Sequence, residues 1–324
     1  MTPLLDDESR RAHKASNELQ SALLVGGLGL VTAFSVWLLW GAMGVALTLV
    51  AVGLVYAFAP RLPPEIVMRV FRARPLDPGH GDQVLDVLQQ LASRAGLSNQ
   101  PKLYVIPSMT LNAFASGTPD RAIIAVTEGL LRGLTLRELA GVLAHEVSHI
   151  RNNDLAVMSL ADVMTRLMQA LSYLAIILAV LNLPAMLLGD SDVSLLALVL
   201  LYLSPTIGSL LQLALSRTRE YDADFEGAQL TGDPAGLAAA LAKLERHQGS
   251  FWEDMALPVP GRRIPQPSLL RSHPPTEERI ARLEALERGA LPPPLHVREA
   301  PMVTMVGVGP ASMRPRYRFP GVWF

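Results

Sequence analysis

The sequence contains no cysteine. That excludes disulfide staples and thiolate-bound metal, so any metal must be held by His, Asp or Glu. The absence also suits a reducing cytosol. Net charge is nearly missing too: 28 Lys and Arg stand against 29 Asp and Glu, with a pI near 6.7. Such a balance exerts no general pull on nucleic acid, and there is no basic stripe with interleaved aromatics, so no nucleic-acid partner is expected. Charge is wholly absent from three long stretches, residues 19–60, 167–189 and 193–216. The charged residues crowd into the remainder at the density of an ordinary soluble domain. The pattern is that of a soluble domain threaded through apolar segments.

A bilayer's apolar core of about 30 Å takes about 20 helical residues. Read as one helix, the stretch 19–60 would run about 63 Å at 1.5 Å per residue. Two spans are therefore expected, near 21–39 and 45–59, turning at Trp40-Gly41-Ala42-Met43-Gly44. The other two stretches are one span each, separated by Asp190-Ser191-Asp192. The first stretch is too long for a signal peptide, and Pro60-Arg61 is not a small-residue cleavage site, so it is expected to be retained. Arg10, Arg11 and Lys14 precede the first span, and Arg61, Arg69, Arg72 and Arg74 follow the second. Arg151 and Arg166 precede the third, and Arg217 and Arg219 follow the fourth, while neither short turn carries Lys or Arg. Positive charge marks the cytoplasmic side, so both termini and the polar domain are expected there, on a multi-pass protein of the inner (plasma) membrane.

In the polar part, Val84, Leu85, Val87, Leu88 and Leu91 recur as the stripe of an amphipathic helix over 81–95. Lys102–Ile106 reads as a strand. Asn112–Gly117 and Ala122–Val126 flank Thr118-Pro119-Asp120 as a hairpin. Thr135 and Glu138 form a capping-box pair opening a helix through His149. Asp233-Pro234 starts a helix to about His247, 255–275 is a Pro-rich loop, and Glu277–Arg288 is a short charged helix. The tail from Leu291 is Pro-rich but ends in aromatics.

The predicted helix at 135–149 carries His145-Glu146-Val147-Ser148-His149. Positions i and i+4 share a helical face, so both imidazoles can reach one metal ion, and Glu146 can take a proton from a water beside it. Short motifs arise by chance, and an amphipathic helix with two partly exposed histidines is the competing interpretation. A catalytic zinc needs a third protein ligand. Glu220 and Asp224, i and i+4 directly after the last span, supply two candidates: one can ligate while the other accepts a hydrogen bond from a ligand imidazole. A solvated charge cluster at the membrane surface is the alternative. His13, His80, His247 and His296 lie in polar flanks, at a helix end or in the tail, and are expected at the surface.

Together HEVSH, SRTREYDAD, NAFASG and Ser272-His273-Pro274-Pro275-Thr276-Glu277-Glu278-Arg279-Ile280 resemble the HtpX-like membrane zinc metallopeptidases, gluzincins related to the CAAX prenyl proteases. The resemblance covers nearly the whole chain. It implies one Zn2+ per chain held by His145, His149 and Glu220, with Glu146 as general base and Asp224 orienting a ligand imidazole. It further implies that Asn112, Ala113, Phe114 and Ala115 lie on an edge strand that pairs with extended substrate. His273 is implied as an oxyanion contact, with a structural turn before Pro274 as the alternative.

The fold expected is α+β and mainly α-helical: four transmembrane helices with a cytoplasmic zincin-type catalytic domain carrying a small β-sheet. The expected order is a cytoplasmic N-terminus (1–20), a transmembrane hairpin (21–59), a first catalytic part (60–166), a second transmembrane pair (167–216), a second catalytic part (217–290) and the tail (291–324). The implied function is hydrolysis of membrane or misfolded proteins at the cytoplasmic face, in contact with the lipid bilayer. A silent scaffold of the same fold, or prenyl-protein processing, is the alternative. Since Glu220 follows the fourth stretch closely, that helix is expected to project from the bilayer, its membrane part ending near Leu210 or Leu211.

Overall fold

The computed structural model describes residues 7–58, 64–76, 81–188, 194–255, 275–286, 291–295, 297, 317–318 and 322–323. The chain divides into two compact units. One comprises Met1–Arg10, Leu62–Leu155 and Arg219–Phe324, the other Arg11–Arg61 and Ala156–Thr218. Helix predominates, with a small mixed sheet.

The second unit is helical. Helix α1 (Asp7–Phe58) starts well before the charge-free stretch and is broken at Gly41, whose φ of 62° and ψ of −157° leave the helical region. That break falls inside the turn expected at Trp40–Gly44, and glycine alone adopts it without strain. α6 (Asp154–Leu188) and α7 (Leu195–Thr231) are continuous. These three helices are each long and apolar enough to cross a membrane. Leu28, Ala161, Met168 and Leu215 pack one buried cluster between them, and Val36, Leu171, Ala175, Leu198 and Leu201 another. Leu30, Met43, Leu181 and Leu187 point outward, 71–79% exposed, an apolar surface that lipid, not water, would suit. The hydroxyls of Thr32, Ser35 and Thr165 each donate to the carbonyl four residues back, at 2.8, 2.8 and 2.9 Å, the kind of internal partner a lipid environment favours. Pro205 has no N–H for the carbonyl of Leu201 four residues back. The Ser204 hydroxyl donates to that carbonyl instead, at 2.9 Å. The loop expected at 190–192 lies outside the described residues.

The first unit is built on a four-stranded sheet in the order β1-β2-β4-β3: β1 (Arg74–Pro75), β2 (Lys102–Ile106), β3 (Ala113–Thr118) and β4 (Arg121–Thr127). β4 is parallel to β2 and antiparallel to β3, with Thr118 opposite Arg121 across the expected turn. Every residue of β4 after Arg121 is buried, which explains its unbroken apolar run: a central strand has two covered faces. On one face pack α3 (Asp82–Ala95) and α5 (Leu136–Arg151), sharing a core with Leu88, Leu91, Ile124, Val126, Leu139 and Leu143. On the other, Met68 of the short helix α2 (Pro64–Val70) packs with Ile106, Ile123 and Ala125. A two-turn helix, α4 (Glu128–Gly133), joins β4 to α5.

Thr135 and Glu138 form the capping box at the start of α5, both reciprocal bonds being present. α8 (Pro234–Met255) runs past the expected end near His247. It crosses α5 so closely that a side chain on Gly141 would meet the Leu237 backbone at 2.8 Å. The last helix, α9, spans Thr276–Glu284. The loop 255–275 falls almost entirely outside the described residues, as does most of the tail. The tail's described start packs Leu295 into the core of this unit, its N–H donating to the Thr231 carbonyl at 3.0 Å. Tyr317–Arg318 and Val322–Trp323 pair as two short antiparallel strands, β5 and β6.

Candidate metal centre

α5 presents His145 and His149 on one face, as i and i+4 positions must. Their Nε2 atoms stand 3.1 Å apart. α7 supplies Glu220, with Oε2 at 3.5 Å from His145 Nε2 and Oε1 at 3.8 Å from His149 Nε2. The three side chains offer ligand atoms within 4.8 Å of one another. Two zinc bonds of about 2.0–2.1 Å at a tetrahedral angle set donor atoms roughly 3.3 Å apart. Two imidazole nitrogens and one carboxylate at this spacing fit that ion.

α7 reaches α5 because Gly227 has no side chain there; a Cβ would meet the His145 backbone nitrogen at 3.2 Å. One residue earlier, Glu226 Oε2 accepts hydrogen bonds from Ser148 Oγ and Asn152 Nδ2, both at 2.8 Å. The face of α7 that carries Glu220 and Asp224 is thus clamped against α5.

The Nδ1 atoms face away from the three-donor cluster, each towards a buried carboxylate. Asp224 Oδ1 lies 3.0 Å from His145 Nδ1, and Asp154 Oδ2 lies 2.8 Å from His149 Nδ1. Asp224 is itself gripped by Arg279 of α9, whose Nε and Nη2 donate to its two oxygens at 2.6 Å each. Arg279 Nη1 also stands 3.2 Å from Glu220 Oε2. A bidentate guanidinium pair of this kind is geometrically specific, and removing one partner of a buried pair costs about 3–5 kcal/mol. Arg282 adds a second link between α9 and α7, stacking 3.7 Å over the Tyr221 ring.

Burial opposes a charge on His145. Its hydrogen bonds to Asp224 and Glu220 outweigh that opposition and hold the ring far above its usual range, at about 10. The carboxylates therefore make this a place that favours a positive charge, whether a proton or a divalent metal ion.

Glu146 is half-buried beside the two histidines. Asn112 immediately precedes β3, its carbonyl accepting from the Thr127 N–H at 3.0 Å. Ala113, Phe114 and Ala115 lie on β3, which among the described residues pairs only with β4 and so forms an edge of the four-stranded sheet. β3 also packs against α5. His273 lies outside the described residues. Asp154 and Arg279 were not singled out from sequence. A carboxylate five residues past the second histidine was the available signal for the first, while nothing in a helix reading Thr-Glu-Glu-Arg-Ile-Ala-Arg distinguishes a buried arginine from an exposed one.

The family model described as peptidase family M48 matches residues 80–287. The chain is 37% identical over 282 residues to a protease HtpX homolog of Desulfatibacillum aliphaticivorans, covering 82% of this chain and 89% of that protein. To a protease HtpX homolog of Kineococcus radiotolerans it is 38% identical over 297 residues, covering 85% and 98%. Among solved structures, the crystal structure of S. mikatae Ste24p is similar with a TM-score of 0.49 and 20% identity, over 84% of this chain and 66% of that one.

Proposed function

The chain belongs to peptidase family M48 and is a metalloprotease, and from that premise we propose that it is a membrane-embedded zinc endopeptidase with its metal on His145, His149 and Glu220. The observation that carries this is the cluster of two imidazoles and one carboxylate, their ligand atoms within 4.8 Å. When bound, zinc supplies a Lewis acid that polarises a peptide carbonyl and acidifies water.

The chain's own residues do the rest. Glu146, next to His145 on α5, takes the proton of the attacking water and passes it to the leaving amine. Asp224 fixes the ring of His145. The unpaired edge of β3, from Ala113 to Ala115 with Asn112 at its start, holds an extended substrate by strand addition. His273 is assigned the contact to the developing oxyanion on the resemblance of its 272–280 segment to the family motif. Substrates are exposed segments of membrane or misfolded proteins. Casein, a loose substrate, tests the activity: the purified chain should hydrolyse it and Glu146→Gln should not.

For the membrane part we infer four spans, the break at Gly41 turning α1 back, with the polar unit on the cytoplasmic side of the inner membrane and the membrane part of α7 ending near Leu210 or Leu211. Arginines at every flank except the two short turns support that orientation. The cysteine-free sequence makes a labelling test clean. Met43→Cys and Ser191→Cys in intact cells should react with a membrane-impermeant thiol reagent, and Ser98→Cys, on the exposed surface of the first unit, should react only after lysis. Labelling of Ser98→Cys in intact cells would reverse the orientation.

A further inference from the structure

His149 is held from behind by a residue that the zinc-ligand pattern does not include. α5 ends at Arg151, and the chain turns through Asn152 and Asn153 before α6 begins at Asp154. Asn153 has a φ of 55°, in the left-handed region that asparagine tolerates better than most residues. Its N–H closes the turn on the Ile150 carbonyl at 3.1 Å. Without that turn, Asp154 would lie about 140° round a continued helix from His149, since five residues at 100° overshoot a full turn by that much. With it, the Asp154 carboxylate folds back to within 2.8 Å of His149 Nδ1 and is 2% exposed.

The other oxygen of Asp154 faces Arg219, whose Nη1 stands 3.0 Å away. This is a contact of charges whose N–H is not aimed at the oxygen. Arg219 is largely buried and immediately precedes Glu220 on α7. Adjacent residues of one helix therefore serve His149 in two ways, Glu220 from the side of its Nε2 and Arg219 through Asp154. The arrangement parallels the one on His145, where Asp224 meets Nδ1 and Arg279 grips Asp224.

We propose that Asp154, backed by Arg219, is a positioning residue for His149: it takes the Nδ1 hydrogen and so turns the Nε2 lone pair to the metal. The proposal rests on His149 being a metal ligand. A neutral imidazole carries one ring hydrogen, and which nitrogen bears it is set by the partner of the other. Asp154 locks ring rotation as well as tautomer, and Arg219 keeps the carboxylate in place when His149 moves.

The competing role for Asp154 is structural, since an acidic residue at the start of α6 stabilises that helix end. Serine costs the helix start only that charge term, about 0.3–1 kcal/mol, and is too short to reach Nδ1, so lost metal affinity in Asp154→Ser reports the positioning role and a lowered melting temperature alone the structural one. The full-length protein in detergent is stripped of metal and titrated with zinc against a chromophoric chelator, then with cobalt(II), whose visible d–d bands report ligand geometry. Asp154→Ser should weaken zinc binding by about 10–100-fold and displace the cobalt bands. Asp154→Asn, which keeps a hydrogen-bond acceptor without the charge, should fall between it and wild type. Asp162→Asn, an exposed carboxylate of α6 paired with Arg166, should match wild type. Wild-type affinity and cobalt spectrum in both Asp154 variants would overturn the positioning role, even with a lowered melting temperature. Should Asp154→Ser fail to fold, Asp154→Asn decides by the same two readouts. A wild type that binds no zinc would instead remove the functional assignment of the whole site.

Discussion

Glu146→Gln should leave the purified protein loaded with zinc and slow casein hydrolysis by about 10²–10⁴-fold, the usual contribution of a positioned general base. The amide keeps the size and shape of the carboxylate but cannot accept a proton. Glu146 is not among the three side chains whose ligand atoms converge, so metal binding should survive the change. Its placement follows from helix geometry: one residue past His145, it is turned about 100° from the ligand face and so does not compete for the metal. Initial rates at matched zinc content measure the effect. A variant as fast as wild type would remove Glu146 from the reaction.

Combining His149→Ala with Glu220→Ala should produce a protein that purifies without zinc and hydrolyses nothing. Only His145 would remain of the three donors, and one imidazole cannot compete with water and buffer for a divalent ion. The loss should also appear as stability. A ligand at a hundredfold above its Kd stabilises the folded state by about 2.7 kcal/mol, so added zinc should raise the melting temperature of metal-stripped wild type and leave that of the double variant unmoved. Glu220 is in contact with Arg279 as well, so a baseline shift in melting without metal is expected and does not bear on the site. Full zinc occupancy in the double variant would place the metal elsewhere.

Local features of the fold were legible wherever short-range physics sets them. The capping box at Thr135 and Glu138 and the turn between Thr118 and Arg121 each depend on neighbours a few residues away, and the structure has both. The same holds for His145 and His149, whose common face needs only that α5 be a helix. What lay beyond reading depends on tertiary contact. Arg279 reaches Asp224 across 55 residues of sequence, and a charged, strongly amphipathic helix gives no sign that one of its arginines is buried. Asp154 meets His149 only because Asn153 adopts a left-handed conformation, which the Asn-Asn pair permits but does not require. α1 begins before the apolar stretch because helix formation does not stop at the border between polar and apolar residues.

The central claim is that two imidazoles and a carboxylate, not a surface cluster of charges, hold one zinc ion. X-ray absorption at the zinc edge on the purified full-length protein tests it most directly. The expected spectrum shows two imidazole nitrogens at about 2.0–2.1 Å completed by oxygen donors at about 2.0–2.2 Å, at one zinc per chain. A zinc-loaded sample with oxygen donors only, and no imidazole scattering, would contradict it.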